Sequence, residues 1–331
     1  MLMLLLMNFA IYAAVSVQAT QSILHRPGGA ELVDCAAFAR ASAGKPILRI
    51  ISLNVTTREV GDAHLIVTPG GKVILIDTGM PGYGNSVILP YLRRHGIGHI
   101  DWMMASHMHD DHFGSMPELI LSNQITVGEV LWSPLPADRM HKLEEMYAAD
   151  SVRIMKQIRA ACAQRNVPIR EIVAGQMLDL GDGVTGQVLA AAEPQITVGN
   201  YINNNSIIMM LRHGQFSMLF TGDQGFEEED RVMALGKDLV CDVLKIGHHA
   251  GAGSTSEKWV AALRPKVGIA SMAEYLSNDP RGRRVYDLLM PTGIRYLRTW
   301  ECGHIEIQTD GKHFATFMQH PLSAGAPELG R

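Results

Sequence analysis

Three histidines and two aspartates lie within six consecutive positions, inside the stretch SHMHDDHFGS at residues 106–115. Imidazole and carboxylate side chains are common ligands of Zn²⁺, Mn²⁺ and iron. The cluster offers more ligands than one tetrahedral ion with an open position can use, so we predict two adjacent metal ions. The first would be bound by His107 and His109, and the second by Asp111 and His112. Without a metal, burying so many polar groups in one loop would cost free energy.

Two segments more than a hundred residues further along end in side chains of the same kind. LFTGD ends a predicted strand at Asp223, and LKIGHHAGAGS follows another strand with His248 and His249. We predict that Asp223 bridges the two metals and that one of His248 and His249 completes the ligand set of the second metal. The glycine-rich loop either holds an anionic group such as phosphate or opens the next helix, with Ser254 or Thr255 as its N-cap.

The elements that must position these residues alternate between strands and helices. Three β-type runs, ILRIISLNV, HLIVT and KVILID, precede the first cluster, and a fourth, IDWMMAS, leads directly into it. Apolar spacing predicts one long amphipathic helix over residues 138–165, which we expect to cover a sheet rather than to contact substrate. With the hairpin SIIMMLRHGQFSMLFTGD and further alternation, this pattern predicts an α/β (α+β) fold, an αββα sandwich of two mixed β-sheets with helices on the outer faces.

The composition is that of a large folded domain. Apolar residues make up 47% of the 331 residues and charged residues 19%, and the net charge is -4. The chain therefore lacks the strongly basic balance of a dedicated duplex-DNA binder, which leaves only a local basic groove. No C-x-x-C pair occurs, so we expect buried free thiols or, in an exported chain, a disulfide. The cysteines concerned are Cys35, Cys162, Cys241 and Cys302.

The first nineteen residues carry no charged side chain and end in the small-residue pattern Val17-Gln18-Ala19. This is typical of a signal peptide over residues 1–19, so we expect an exported protein, periplasmic or secreted. An N-terminal membrane anchor and a cytoplasmic location are the alternatives, although the apolar run is at the short end of the ~17–25 residues that span a bilayer. We further predict a lead-in segment at 20–46, the main domain at 47–318 and a flexible tail at 319–331.

In this order, the three motifs SHMHDDHFGS, LFTGD and LKIGHHAGAGS resemble those of the metallo-β-lactamase-fold hydrolases. LIDTG at residues 75–79 matches an early motif of that superfamily, which implies that Asp77 supports the metal loop from behind its ligands. Within the superfamily, NNNSIIMML, DVLKIGHH and RTWECGHIEIQTDG resemble the ComEC-type competence-protein domain. The resemblance implies the metal ligands His107, His109, Asp111, His112, Asp223 and His248, with His249 as the second choice for the place of His248.

One departure from the superfamily pattern concerns the first metal. Many members add a third histidine between the first cluster and the bridging aspartate, but that interval contains only His141 and His213. The segment NNNS, with Asn203 and Ser206 at its ends, lies about where the third ligand is expected. We predict that an amide oxygen or a water fills the gap. The first site would then be the weaker one, and the two divalent ions would be zinc, with manganese as the alternative.

The resemblance also implies a reaction. A hydroxide bridging the two metals would attack a phosphorus or a carbonyl carbon, with Asp111 and Asp223 as the catalytic carboxylates. We expect phosphodiester or related anionic substrates, either small nucleotide-like molecules or nucleic acid. A lactone, thioester or β-lactam is the alternative substrate, and a non-catalytic metal-binding protein of the same fold is a remote one. The redox branch of the fold expects a carboxylate where His109 stands, which argues against an oxidoreductase.

Overall fold

The structure is a computed structural model that describes residues 29–56 and 59–320. The predicted signal peptide at 1–19, the first part of the lead-in segment and the tail from residue 321 lie outside the described residues. Export therefore stays a prediction. None of the helices in the described ranges combines the length and the apolar character needed to cross a membrane.

Strands of the described ranges form two mixed sheets. In chain order they are β1 (Glu31–Leu32), β2 (Leu48–Ser52), β3 (His64–Val67), β4 (Val73–Ile76), β5 (His99–Met104), β6 (Thr126–Trp132), β7 (Ile169–Glu171), β8 (Met177–Gly181), β9 (Val184–Ala190), β10 (Ile208–His213), β11 (Phe216–Phe220), β12 (Val243–Lys245), β13 (Val267–Ala270), β14 (Arg295–Arg298), β15 (Ile305–Thr309) and β16 (His313–Met318). The first sheet has the order β1-β16-β15-β2-β3-β4-β5-β6-β7, and the second has the order β14-β13-β12-β11-β10-β9-β8.

Helices of the described ranges lie outside the two sheets. In chain order they are α1 (Cys35–Ala41), α2 (Leu89–Arg94), α3 (Asp110–Phe113), α4 (Met116–Leu121), α5 (Ala137–Leu143), α6 (Glu145–Arg165), α7 (Phe226–Met233), α8 (Glu257–Leu263), α9 (Glu274–Asn278), α10 (Pro280–Leu289) and α11 (Thr299–Cys302). A π-helical turn at Gly84–Ile88 precedes α2, and 3₁₀ turns lie at Asn203–Asn205, Gly247–Ala250 and Met290–Thr292.

Three apolar cores hold the layers together. The inner core lies between the sheets, where side chains such as Ile74 of the first sheet meet Val243 of the second. An outer core packs α2 to α6 on the first sheet around residues such as Phe113. A second outer core packs α7 to α10 on the other sheet around Trp259. Because helices cover both outer faces of the paired sheets, the predicted αββα sandwich is confirmed.

Two pairs of parallel strands deliver the predicted metal ligands to one edge. β4 runs parallel to β5 in the first sheet, and β11 runs parallel to β12 in the second. All four residues of β4 are buried, as expected for a strand covered on both faces. Since parallel strands end at the same edge of a sheet, the loops after these four strands meet beside one another.

The predicted helix over residues 138–165 is wrong in one respect, because it is broken. α5 ends at Leu143 and α6 starts at Glu145, while Glu144 has φ -151° and ψ 58°, outside the helical region. α6 packs in the outer core of the first sheet, as expected, and the break before it also reaches the metal loop. Part of the predicted lead-in segment, β1 and α1, packs against the domain through β16. All four cysteines are free in the structure.

Candidate metal centre

The metal loop, residues 105–114, leaves β5 and winds into the single turn α3. The Ser106 N–H donates to Asp77 Oδ1 at 2.7 Å, and Nδ1 of His112 donates to Asp77 Oδ2 at 2.9 Å. Gly114 closes the turn, because a Cβ there would lie 2.5 Å from Cδ of Pro81. Asp77 thus lies behind the loop, where its two oxygens hold both the backbone and one imidazole. Since a carboxylate only accepts, His112 carries its proton on Nδ1 and presents the Nε2 lone pair to the site.

Four side-chain atoms converge on one point of the site. His249 Nε2 lies 3.0 Å from Asp111 Oδ2, 3.1 Å from Asp223 Oδ2 and 3.3 Å from His112 Nε2. His112 Nε2 lies 3.2 Å from Asp223 Oδ2. We call these four residues the second cluster. A tetrahedral ion with ligands at ~2.0–2.1 Å has ligand atoms ~3.3 Å apart, so these spacings fit such an ion.

The structure reverses the expected order of the two adjacent histidines. Nδ1 of His248 pairs with the carbonyl of Ala252 at 3.0 Å, and the centroid of its ring lies 6.3 Å from that of His249. Nδ1 of His249 instead donates to the carbonyl of Ser271 at 2.7 Å, which leaves its Nε2 lone pair facing the cluster. Both histidines have positive φ, 48° and 52°. His249 therefore occupies the place predicted for His248.

The first pair, His107 and His109, lies beside the second cluster. His107 Nε2 and His109 Nδ1 face each other at 3.2 Å, and the rings of His107 and His112 lie 4.0 Å apart between centroids. Asn203 lies in the 3₁₀ turn of the NNNS segment and is buried. Its Oδ1 has no hydrogen-bond partner among the described residues. Ser206 accepts a hydrogen bond from the Asp223 N–H through Oγ at 3.2 Å.

The electrostatics distinguish the two groups of ligands. Burial lowers the pKa of His107 well below its usual value, and the positive charge of His112 acts in the same direction. Burial also opposes charge on His112 and His249, but Asp223 outweighs it and raises the pKa of His112 well above normal and that of His249 to about 10. Although burial opposes the charge on Asp223, nearby cations, first of all His112, hold its pKa well below normal. In the metal-free protein, protons thus occupy the second cluster.

Comparisons with known proteins identify similar sequences and structures. The model of the metallo-beta-lactamase superfamily matches residues 56–184. ComE operon protein 3 of Bacillus subtilis is 28% identical over 238 residues, which cover 72% of this chain and 28% of that protein. Recombination protein 2 of Haemophilus influenzae is 28% identical over 227 residues, which cover 67% of this chain and 24% of that protein.

Part of the chain, residues 56–184, is thus similar to the metallo-β-lactamase superfamily.

The similarity to these two relatives covers only part of each of them, because the chain spans less than a third of the length of either one. Among solved structures, a diphosphatase of the PhnP family is 13% identical, with 68% of this chain and 87% of that chain covered and a TM-score of 0.40. Zn²⁺-bound PqqB from Methylobacterium extorquens is 9% identical, with 75% and 97% covered and a TM-score of 0.45.

Two charged residues of this site were not expected from the sequence. Lys245, buried at the end of β12, forms an ion pair with Asp62, donates to the carbonyl of Gly222 at 3.0 Å and lies 3.4 Å from Asp223 Oδ1. The only sequence signal for Lys245 is a charge inside an otherwise apolar strand. Asp62 lies in a loop between β2 and β3, where nothing in the sequence distinguishes it.

Asp62 is close enough to join a metal-binding group with His112, Asp223 and His249, since one ligand atom of each lies within 4.8 Å of the others. However, its nearest approach to each histidine is 3.7 Å from Nδ1, the nitrogen that faces away from the cluster. Asp111, by contrast, meets the Nε2 side of His249. Asp111 therefore lies on the side that the Nε2 atom of His249 faces, and Asp62 lies on the Nδ1 side of both histidines.

The glycine-rich loop after His249 is already occupied by protein groups. The Ser256 hydroxyl accepts from the Trp259 N–H, so Ser256 is the N-cap of α8, and the expected cap at Ser254 or Thr255 is wrong. The carboxylate of Glu229 accepts from the N–H groups of Thr255 and Ser256. Because a side-chain anion already lies at this helix end, those two amides are not free to hold a substrate phosphate.

Proposed function

We propose that the chain is a metal-dependent hydrolase that acts on phosphodiester or related anionic substrates. The observation that carries the proposal is the convergence of the four atoms of the second cluster at spacings of 3.0–3.3 Å around His249. Two divalent ions, zinc or alternatively manganese, would bind here. His107 and His109 would hold the first ion, and Asp223 would bridge to the second. The second ion's own ligands would be Asp111, His112 and His249.

Divalent ions at such a site supply Lewis acidity and an activated water for attack on the substrate. The chain's own residues prepare the site for them. The Nδ1 atoms of His112 and His249 donate to Asp77 and to the carbonyl of Ser271, so that both Nε2 atoms face inward. Lys245 lies beside Oδ1 of Asp223, and Oδ2 of Asp223 faces His249. These residues therefore orient the ligands before any metal arrives.

Support for an anionic substrate comes from two sources. One relative is named Recombination protein 2, and recombination is a reaction of DNA, which is a polyanion. An arrangement of two metal ions also suits phosphoryl chemistry, because it can clamp both the attacking and the leaving oxygen. The net charge of -4 favours a short or nucleotide-like substrate over long duplex DNA.

A hydrolysis panel with metal analysis tests this proposal. The panel contains an aryl phosphodiester, single-stranded DNA, a lactone and a chromogenic β-lactam, each with the wild type, Asp223→Asn and Asp230→Asn. Asp230 is an exposed aspartate of α7 and serves as the control. We expect phosphodiester hydrolysis that Asp223→Asn reduces by about 100-fold or more, since loss of an outer partner alone costs ~10–100-fold. Hydrolysis of the carbonyl substrates only, or equal rates for wild type and Asp223→Asn, would overturn it.

A further inference from the structure

The break between α5 and α6 has no local cause in the sequence. Residues 137–165 contain neither glycine nor proline, and the residue at the break, Glu144, is a good helix former. Breaks in helices of this kind need a specific cause, such as a side chain engaged elsewhere. The cause must therefore be a tertiary contact strong enough to override the helical preference of the chain at this point.

Both carboxylate oxygens of Glu144 are engaged at the metal loop. Oε1 lies 3.2 Å from Nε2 of His109, and Oε2 accepts from the N–H of Ile202 at 2.7 Å. The Glu144 side chain is only 11% exposed. Tyr147, one turn into α6, places its ring 4.9 Å from the His109 ring. At the break, the Glu144 carboxylate and the Tyr147 ring thus contact His109, a predicted ligand of the first metal.

These contacts determine which nitrogen of His109 can bind a metal. A carboxylate only accepts hydrogen bonds, so the Nε2 of His109 facing Glu144 must carry the proton. Nδ1, which faces His107 Nε2 at 3.2 Å, then keeps its lone pair. The other oxygen of Glu144 holds Ile202, the residue before Asn203, whose buried Oδ1 has no partner among the described residues. The carboxylate of Glu144 therefore connects His109 with the segment that carries Asn203, the two sides of the predicted first metal site.

We propose that Glu144 is the positioning residue of the first metal site. Its carboxylate fixes the tautomer and ring orientation of His109 and holds the segment that carries Asn203 in place. The affinity of the first site, and not that of the second cluster, then depends on Glu144. The proposal rests on the proposed metal centre. It does not depend on which substrate is hydrolysed.

The test compares metal binding by Glu144→Gln with that by the wild type and by Glu145→Gln. Glu145 is the next residue and is exposed, so its variant makes the same change of charge away from the site. The full chain is stripped of metal and titrated calorimetrically with Mn²⁺ and Zn²⁺. Glutamine cannot accept at both of its terminal atoms, so one of the two hydrogen bonds is lost. We expect Glu144→Gln to weaken one site by ~10–100-fold and to leave the other unchanged. Glu145→Gln should match the wild type.

Two further readouts separate positioning from a general loss of structure. The optical spectrum of bound Co²⁺ should change at one site only, and the urea midpoint of metal-free Glu144→Gln should stay close to that of Glu145→Gln. Equal weakening of both sites, or wild-type binding at both, would overturn the proposal, as would a wild type that binds fewer than two ions. If the wild type binds two ions but hydrolyses none of the panel substrates, the proposed function fails while the affinities still decide the role of Glu144.

Discussion

Replacing Lys245 with methionine tests how the buried charges of the site are balanced. The ammonium group is fully buried and forms an ion pair with Asp62, which is equally buried. Burial would lower the pKa of Lys245, but Asp62 and Asp223 outweigh it and raise it above its ordinary value. The lysine therefore stays charged at neutral pH, and methionine removes this charge while keeping most of the apolar stem.

The expected cost follows from what the substitution leaves behind. Removal of one partner of a buried ion pair destabilises a protein by ~3–5 kcal/mol, because the remaining charge is neither solvated nor paired. In Lys245→Met that charge is the carboxylate of Asp62. The comparison pair is Lys45 with Asp310, 3.1 Å apart, in which the lysine side chain is 54% exposed. The side chain of Asp310 is buried, but it keeps the hydrogen bonds that it accepts from the N–H groups of Lys312 and His313. Lys45→Met should cost no more than ~1 kcal/mol.

Urea denaturation of the metal-free proteins at pH 7 measures both effects as free energies of unfolding. The double variant Asp62→Asn with Lys245→Met removes the orphaned charge, so we expect it to be more stable than Lys245→Met alone. If Lys245→Met costs as little as Lys45→Met, or if the Asp62→Asn change adds a further loss, the reasoning about buried charge is refuted.

Three further predictions concern the metal loop and the second cluster. His249→Asn should abolish one of two metal equivalents in a stoichiometry measurement, whereas His248→Asn should retain both; the opposite result would restore the sequence-based assignment. The pKa of His249 rises from 6.5 to about 10 on folding without metal, so its contribution to stability is complete below pH 6.5 and lost as the pH rises toward about 10. Urea midpoints of metal-free wild type and His249→Asn should converge across that window, and a constant difference would contradict the charge argument. Gly114→Ala should destabilise the protein by ~1–3 kcal/mol or more, because its Cβ would lie 2.1 Å from the carbonyl oxygen of Asp110. Gly98→Ala, which meets nothing within 4 Å, is the control in the same thermal-unfolding assay.

The sequence is most informative where strand ends carry the chemistry. A buried run such as IDWMMAS can only be a covered strand, and the residues after it must leave the sheet at the edge where its parallel neighbours end. That rule is enough to place His107 and His112 near Asp77, which follows the parallel strand β4. The rule depends on periodicity and covalent order alone, and both are visible in a single chain. Asp223 follows β11 of the other sheet, so its approach was predicted from its ligand chemistry and the motif resemblance.

The same rule fails for residues whose direction depends on local backbone geometry. His248 and His249 are adjacent, and in a strand they would point to opposite faces. Both instead adopt positive φ in a 3₁₀ turn, so alternation says nothing about which one faces the metals. The break in the helix at Glu144 could not be predicted for the opposite reason. Its local preference is helical, and only contacts with residues 35 and 58 positions away along the chain break the helix.

Charge balance connects the buried lysine to the metals. Asp62, Asp77, Asp111 and Asp223 bring four carboxylates into one small volume. In the metal-free protein, Lys245 and the protonated rings of His112 and His249 balance three of these charges, as the raised pKa values of both histidines indicate. A metal ion at the second cluster must displace the Nε2 protons of His112 and His249, since each of these histidines would bind the ion through Nε2. Lys245 lies against Asp62 and against Oδ1 of Asp223, the oxygen that does not face the histidines, so a metal ion does not displace it. It therefore keeps the charge of Asp62 compensated whether protons or metals occupy the cluster, and metal binding here should be an exchange for protons whose strength rises with pH.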